Sequence, residues 1–353
     1  MKVFNKVLAF ALVALMGLTG CNAQSASVSR VEVPEFEKAI TDDNVVLVDV
    51  RTASEYADGH IEGAINMDVQ KDDFESVAVK TLPKGATVAI YCRSGNRSRR
   101  AAEILQGKGF NVVELSTGFN GWSAAGKNGT KEEVDLFLTP GGISVYLYCI
   151  KHGTIRMKIG GKWIHVDPVS KGAQPVTDYS VMPKADVILV THEHGDHLDA
   201  GAIADLTKDG TVLIANSASQ AKLGKGEVMK NGDSRSVAGI EIKAVPAYNN
   251  SEEKQNFHPK GNGNGYVLTV DGFCIYIAGD TEDIPEMKEL KKVDVAFLPC
   301  NLPYTMTPEQ LANAARSFSP KVVFPYHYGQ TEIQQTVSLL SGSGIEVRIR
   351  QYQ

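Results

Sequence analysis

Cysteine is sparse in this chain of 353 residues: five are present, too few and too scattered for a disulfide framework. Positive charge is not in excess either. The net charge of −5 offers no broad basic field for gripping nucleic acid, so no nucleic-acid partner is expected. No internal repeat or low-complexity segment occurs. Apolar and charged fractions of 43% and 22% are ordinary for a globular protein and argue against wholesale disorder. Histidine is scarce as well, with eight in the whole chain. The length allows two domains with proper cores.

The start differs from the rest. MKVFNKVLAFALVALMGLTGCNAQ carries two lysines, then an apolar core, then Leu18-Thr19-Gly20-Cys21, a signal-peptide layout with small residues before the break. The apolar stretch to Gly17 is about eleven residues, short for a membrane span. It resembles a bacterial lipoprotein signal, which implies cleavage and lipidation at Cys21 and a protein tethered by acyl chains to a bacterial membrane, in the cell envelope. The plain alternative is an uncleaved anchor or a buried helix. The expected organisation is a signal peptide at 1–20, a polar spacer at 21–29, a first domain at 30–127, a linker at 128–139 and a second domain at 140–353.

The two halves differ in pattern. Up to residue 127, apolar strands such as NVVLVDV, ATVAIYC and NVVELS alternate with helical stretches, predicting a small α/β unit with a mainly parallel sheet. Beyond 139 the strands lengthen and the glycine turns multiply, with hairpin signals at IGGK and VDGF. Helices are expected at AGAIADL and PEQLANAARS, the latter with Thr307 as N-cap, Pro308 at the first position and Gln310 three after the cap.

In the first half, Cys92 ends an apolar strand, and Cys92-Arg93-Ser94-Gly95-Asn96-Arg97 leads into a helix. Backbone N–H groups, a helix N-terminus and nearby arginines each favour a thiolate. Gly95 lets the loop curl back on itself. The alternative is an inert buried cysteine. Asp49-Val50-Arg51, Glu55-Tyr56, the run Gly59 to Asn66, this loop and Gly118-Phe119-Asn120-Gly121-Trp122 together resemble a rhodanese domain. The resemblance implies sulfane-sulfur transfer through a persulfide on Cys92, with a sulfane-sulfur donor as partner. Four residues separate Cys92 from Arg97, as in sulfurtransferases, where related phosphatases have a wider loop. His60 is read as structural, and Arg51 as paired with acids of its own domain.

In the second half, THEHGDHLD at 191–199 packs three histidines and three carboxylates into nine positions behind the apolar run ADVILV. A solvated loop is the bland reading. Against it, His192 and His194 alternate on extended backbone, so their rings can point the same way, and Asp196 and His197 follow as the chain turns. One short loop can thus serve two adjacent cation sites. Imidazole and carboxylate suit zinc first, with manganese or iron as alternatives. Asp280 and His327 both end apolar strands, where loops gather above a sheet. This set, with HGT at 152, VDPV at 166, GDT at 279 and YTMTP at 304, resembles metallo-β-lactamase-fold hydrolases of the ascorbate-6-phosphate lactonase-like branch. The resemblance implies an αββα sandwich and two metal ions. His192 and His194 would hold one, Asp196, His197 and His327 the other, with Asp280 bridging. A bridging hydroxide would be the nucleophile, oriented or deprotonated by Asp196. Asp167 and Asp199 are read as supporting or capping residues, His152 and His165 as strand or turn residues, and Cys149, Cys274 and Cys300 as core, with Cys300 a possible site lining.

One ligand is missing from the pattern. Where many relatives place a histidine after a strand like EIKAVPA, this chain has Tyr248-Asn249-Asn250. The third ligand of the first metal is either His258, brought in by the flexible run Lys260 to Gly265, or the side-chain oxygen of Asn249, which would favour a harder metal. The expected function is metal-dependent hydrolysis of a small ester, lactone or thioester, coupled to sulfur carriage on Cys92. An iron-dependent persulfide dioxygenase and a non-enzymatic sulfur carrier or metal-binding surface module are the alternatives.

Overall fold

A computed structural model describes residues 26–171 and 176–351; the expected signal segment and Cys21 lie outside the described residues. In the first domain the strand order is Val28–Val31, Asn111–Leu115, Thr87–Tyr91, Val45–Asp49, Ile65–Asn66, every pair parallel. The central strands read VVLVD and TVAIY because helices cover both faces and leave no solvent side for polar alternation. Helix Ala53–Asp58 starts where the sequence offers Thr52 and Glu55, which form a reciprocal capping box.

Among the described residues the second domain consists of two seven-stranded sheets with helices outside, the αββα sandwich expected. The first sheet runs from Glu227–Val228 through Val187–Val190 to the edge strand Val134–Leu138. The second runs from Ser234–Val237 to Glu346–Val347. Their facing sides supply one apolar core, including Leu147, Met157 and Leu189 against Leu268, Phe297 and Phe324. Gly160 and Gly161, and Asp271 and Gly272, all have positive φ, which is what the hairpin signals IGGK and VDGF require. The capping box at Thr307 and Gln310 forms as expected and starts helix Pro308–Phe318.

The structure differs from the expected linker. Residues 134–138 form a strand antiparallel to Ser144–Lys151. VDLFL follows a charged stretch, and its partner lies beyond a turn, so neither neighbour in sequence advertises pairing. The strand matters for assembly. Along Ser144–Lys151, Val145, Leu147 and Cys149 face the sandwich, while Tyr146, Tyr148 and Ile150 join Val134 and Leu136 in the core of the first domain. The first domain thus covers the edge half of this sheet, as a helix layer would. Arg156 crosses the same boundary: it is buried over the rings of Tyr148 and Trp163 and donates to Glu132 at 2.7 Å. His60 stacks on Tyr56, and its Nε2 lies 2.9 Å from the Glu132 carbonyl, which fits a structural role.

Shared apolar packing of this kind couples unfolding. Leu136→Ala should cost about 2–5 kcal/mol and lower the melting temperature of both domains together. Of the two tryptophans of the chain, Trp122 reports the first domain, and Trp163, on strand Lys162–Val166, reports the second where it meets the first. Trp→Phe variants that show only the first domain shifting would contradict the shared core.

Candidate metal centre and sulfur loop

Strand Val187–Val190 is buried throughout, and the loop after it stands at the carboxyl end of neighbouring parallel strands. Three groups of donor atoms converge there, each with all members within 4.8 Å of one another: His192, His194 and His258; His152, Asp196, His197 and His327; and His192, His197 and Asp280. The Asp280 carboxylate lies between the first two groups. Its Oδ2 is 3.1 Å from His258 Nε2 and 3.5 Å from His327 Nε2, and its Oδ1 is 3.5 Å from His197 Nε2.

Whether this set suits a metal can be judged from its unmet polar atoms. Nε2 of His192, His197 and His327 and Oδ1 of Asp280 are buried with no hydrogen-bond partner. Buried polar atoms are normally paired. Four lone-pair donors turned on one another fit cations. Two of the other ring nitrogens are held from behind by groups that can accept their protons, as in metal sites generally. Thr191 Oγ1 is 3.0 Å from His192 Nδ1, and Asp167 Oδ2 is 2.7 Å from His197 Nδ1. The Asn301 and Asn249 amides stand 3.1 and 3.2 Å from Nδ1 of His327 and His258. Burial drives His192 toward its neutral form, the form that offers a lone pair. Burial opposes ionisation of Asp280, but His327 and His197 overcome it and hold the carboxyl well below its usual range.

The two candidates for the missing ligand take different places. His258 joins His192 and His194, whereas Asn249 sits at the other nitrogen of the His258 ring, its amide donating to the carbonyls of Lys254 and Tyr304. The loop is clamped: Asn262 donates to both Glu193 oxygens at 2.8 and 3.0 Å, and Asn249 N donates to His258 O at 2.9 Å. Nor is all of 260–265 free chain, because strand Gly263–Val270 begins inside it. Asp199 caps helix Ala200–Leu206, and His165 is a buried strand residue whose pKa burial and Arg156 push down to about 3. Cys300 is core, its thiol pushed up to about 12 by burial. The turn position of His152 does not by itself reveal its contact with the site. The residue is in the turn, and its Nε2 lies 3.0 Å from Asp196 Oδ2. The HGT motif was the available signal.

At the other centre, Cys92 follows strand Thr87–Tyr91, and helix Asn96–Gly107 begins after Gly95. Gly95 has φ 89°, and a Cβ there would lie 2.0 Å from the Ser116 carbonyl oxygen. This curl brings Gly95 N to 3.2 Å and Ser98 Oγ to 3.5 Å from the sulfur. Burial pushes the thiol up, but the Ser98 hydroxyl and the amides of Ser98, Ser94 and Gly95 hold it below its ordinary value. The arginines contribute differently from expectation. Arg97 is engaged by Glu55 through two bonds of 2.7 Å, which hold that carboxyl at about 2, and Arg93 is exposed. Asn96 starts the helix. Arg51 pairs with Asp49 at 2.6 Å, within its own domain as expected.

Comparison with known proteins agrees with this geometry. Residues 32–125 match the rhodanese-like domain and residues 146–327 the beta-lactamase superfamily domain. A UPF0173 metal-dependent hydrolase of Anoxybacillus flavithermus is 32% identical over 213 residues, spanning 56% of this chain and 94% of that protein. One from Thermococcus onnurineus is 35% identical over 178 residues, 48% of this chain and 79% of its own. Among solved structures, a candidate metal-dependent hydrolase from Parabacteroides distasonis is 53% identical, with a TM-score of 0.61, covering 63% of this chain and 100% of that one. A metallo hydrolase from Ignicoccus hospitalis is 27% identical, with a TM-score of 0.50, covering 59% and 95%. These relatives each match 48–63% of this chain and 79–100% of their own length. The chain therefore belongs to the beta-lactamase superfamily, within the family of the UPF0173 metal-dependent hydrolases, and carries a rhodanese-like domain ahead of the metal-site domain.

Proposed function

We propose that the second domain is a metal-dependent hydrolase acting on a small ester, lactone or thioester, in the lactonase-like branch that HGT, VDPV, GDT and YTMTP resemble. The observation that carries the reading is the Asp280 carboxylate lying between two sets of imidazoles whose buried nitrogens lack partners. His192, His194 and His258 would hold one divalent ion, and Asp196, His197 and His327 the other, with Asp280 shared. Zinc suits these donors best, with manganese or iron as alternatives. Bound ions would polarise a carbonyl and make water a usable nucleophile near neutral pH. Of the chain's own groups, Asp196 would orient that water or take its proton. Asp167 and Thr191 hold the imidazoles of His197 and His192 in place.

The first domain, in this reading, transfers sulfane sulfur. The Cys92 thiolate attacks the outer sulfur of thiosulfate or of a persulfide; the S–S bond of the donor breaks, sulfite or a thiolate leaves, and Cys92 carries the persulfide to an acceptor thiolate. The amides of Ser94 and Gly95 and the Ser98 hydroxyl support the charge on sulfur. Leu18-Thr19-Gly20-Cys21 supports lipidation at Cys21 and a place on the cell envelope. Among the described residues no helix is long and apolar enough to cross a membrane.

Three results are expected. His258→Ala should lower occupancy of one metal ion and leave the other in elemental analysis at matched protein concentration; full occupancy of both would overturn its assignment. Cys92→Ser should abolish thiosulfate-dependent sulfur transfer with metal content unchanged, and surviving transfer would exclude Cys92 as the acceptor. Ser98→Ala should move the Cys92 thiolate absorbance transition to higher pH, since a donor that favours the charged form is removed. Chelation followed by zinc or manganese repletion, with a panel of esters, lactones and thioesters, tests the hydrolase reading itself.

A further inference from the structure

The hairpin turn at His152 joins strands Ser144–Lys151 and Thr154–Ile159. His152 takes the left-handed conformation, with φ 45°, which histidine adopts more readily than most side chains. Its neighbour is confined: a Cβ on Gly153 would lie 2.6 Å from Cε1 of His197. The turn is thus pressed onto the second donor set. His327, also at positive φ (49°), donates its amide to the His152 carbonyl at 3.2 Å, and the two ring centroids are 3.6 Å apart.

What this arrangement presents is one ring nitrogen to one carboxylate oxygen. His152 Nε2 lies 3.0 Å from Oδ2 of Asp196, the same oxygen that faces Nε2 of His327 at 3.6 Å and of His197 at 3.9 Å. Asp196 is in need of such a hold. It stands on a loop without regular secondary structure, and its side chain is 41% exposed, against 4% for Asp280. His192 and His197 are each held through Nδ1 by a neighbour that can accept its proton. Asp196 is held by His152.

We propose that His152 is a positioning residue: its Nε2–H donates to Asp196 Oδ2, fixes the rotamer of that carboxylate, and so sets the affinity of the second metal site. The proposal rests on the two-site reading above. It differs chemically from His152 acting as a ligand. One nitrogen cannot both give its proton to Asp196 and offer a lone pair to a cation, so the two roles separate by experiment. Partners of ligating groups typically change metal affinity by about 10- to 100-fold when removed.

The test uses full-length, metal-stripped protein titrated with zinc by calorimetry, as wild type, His152→Ala and His152→Gln. Cobalt absorption spectra are recorded beside each titration. His152→Ala should weaken one of the two sites about 10- to 100-fold and leave the other unchanged. His152→Gln, whose amide N–H can replace that of the imidazole, should restore most of the affinity with a wild-type cobalt spectrum. Wild-type affinities for both ions in His152→Ala would overturn the proposal. So would a failed rescue by Gln with an altered cobalt spectrum, which would make His152 a ligand. Loss of both sites together with lost secondary structure would make it a turn residue only. A wild type that binds a single ion would instead overturn the two-site reading, and this proposal with it.

Discussion

The Asp280 carboxylate is buried among the imidazoles of His192, His197, His258 and His327, and much of the second domain serves to keep it there. Leaving a buried polar atom without a partner costs about 1–3 kcal/mol, and four such atoms face one another at this point. A fold spends stability in this way where a ligand restores it. A cation that binds only the folded state adds stability in proportion to the logarithm of its concentration over its dissociation constant. The sandwich supplies the rigidity. His192 and His327 each follow a strand buried along its whole length, so the donors cannot drift apart to reach water.

The same sheet also carries the first domain. Alternation along Ser144–Lys151 sends one row of side chains into the sandwich and the other into the rhodanese-like core. One strand is therefore common to both cores, and the edge strand Val134–Leu138 completes the contact. Arg156 extends this boundary electrostatically, held by Glu132 over two aromatic rings. The sulfur loop and the metal centre are consequently parts of one packed body, whatever their chemical relation.

How much of this could be read from residues alone depended on range. Strands and capping boxes are local, and the apolar runs, the Thr307 cap and the glycine turns all appeared where the pattern placed them. The loop from His192 to His197 is local too, since alternation on extended backbone aims its rings. His258 was contested because its place depends on Asn262 reaching Glu193, a contact 69 residues apart. His152 was passed over because a histidine in a hairpin turn looks ordinary until His327, far along the chain, closes on it. The sulfur loop divides in the same way: its backbone amides act on the thiol as the local pattern suggests, whereas the engagement of Arg97 by Glu55, 42 residues earlier, is not visible in it.

The central claim is that two cations share Asp280, one among His192, His194 and His258 and the other among Asp196, His197 and His327. Anomalous diffraction from crystals of the zinc-loaded, full-length protein tests it most directly. The account predicts two anomalous peaks, one in contact with the imidazoles of His192, His194 and His258, the second with His197, His327 and Asp196, and Asp280 between them. A single peak, or two peaks with His258 turned away from both, would contradict it.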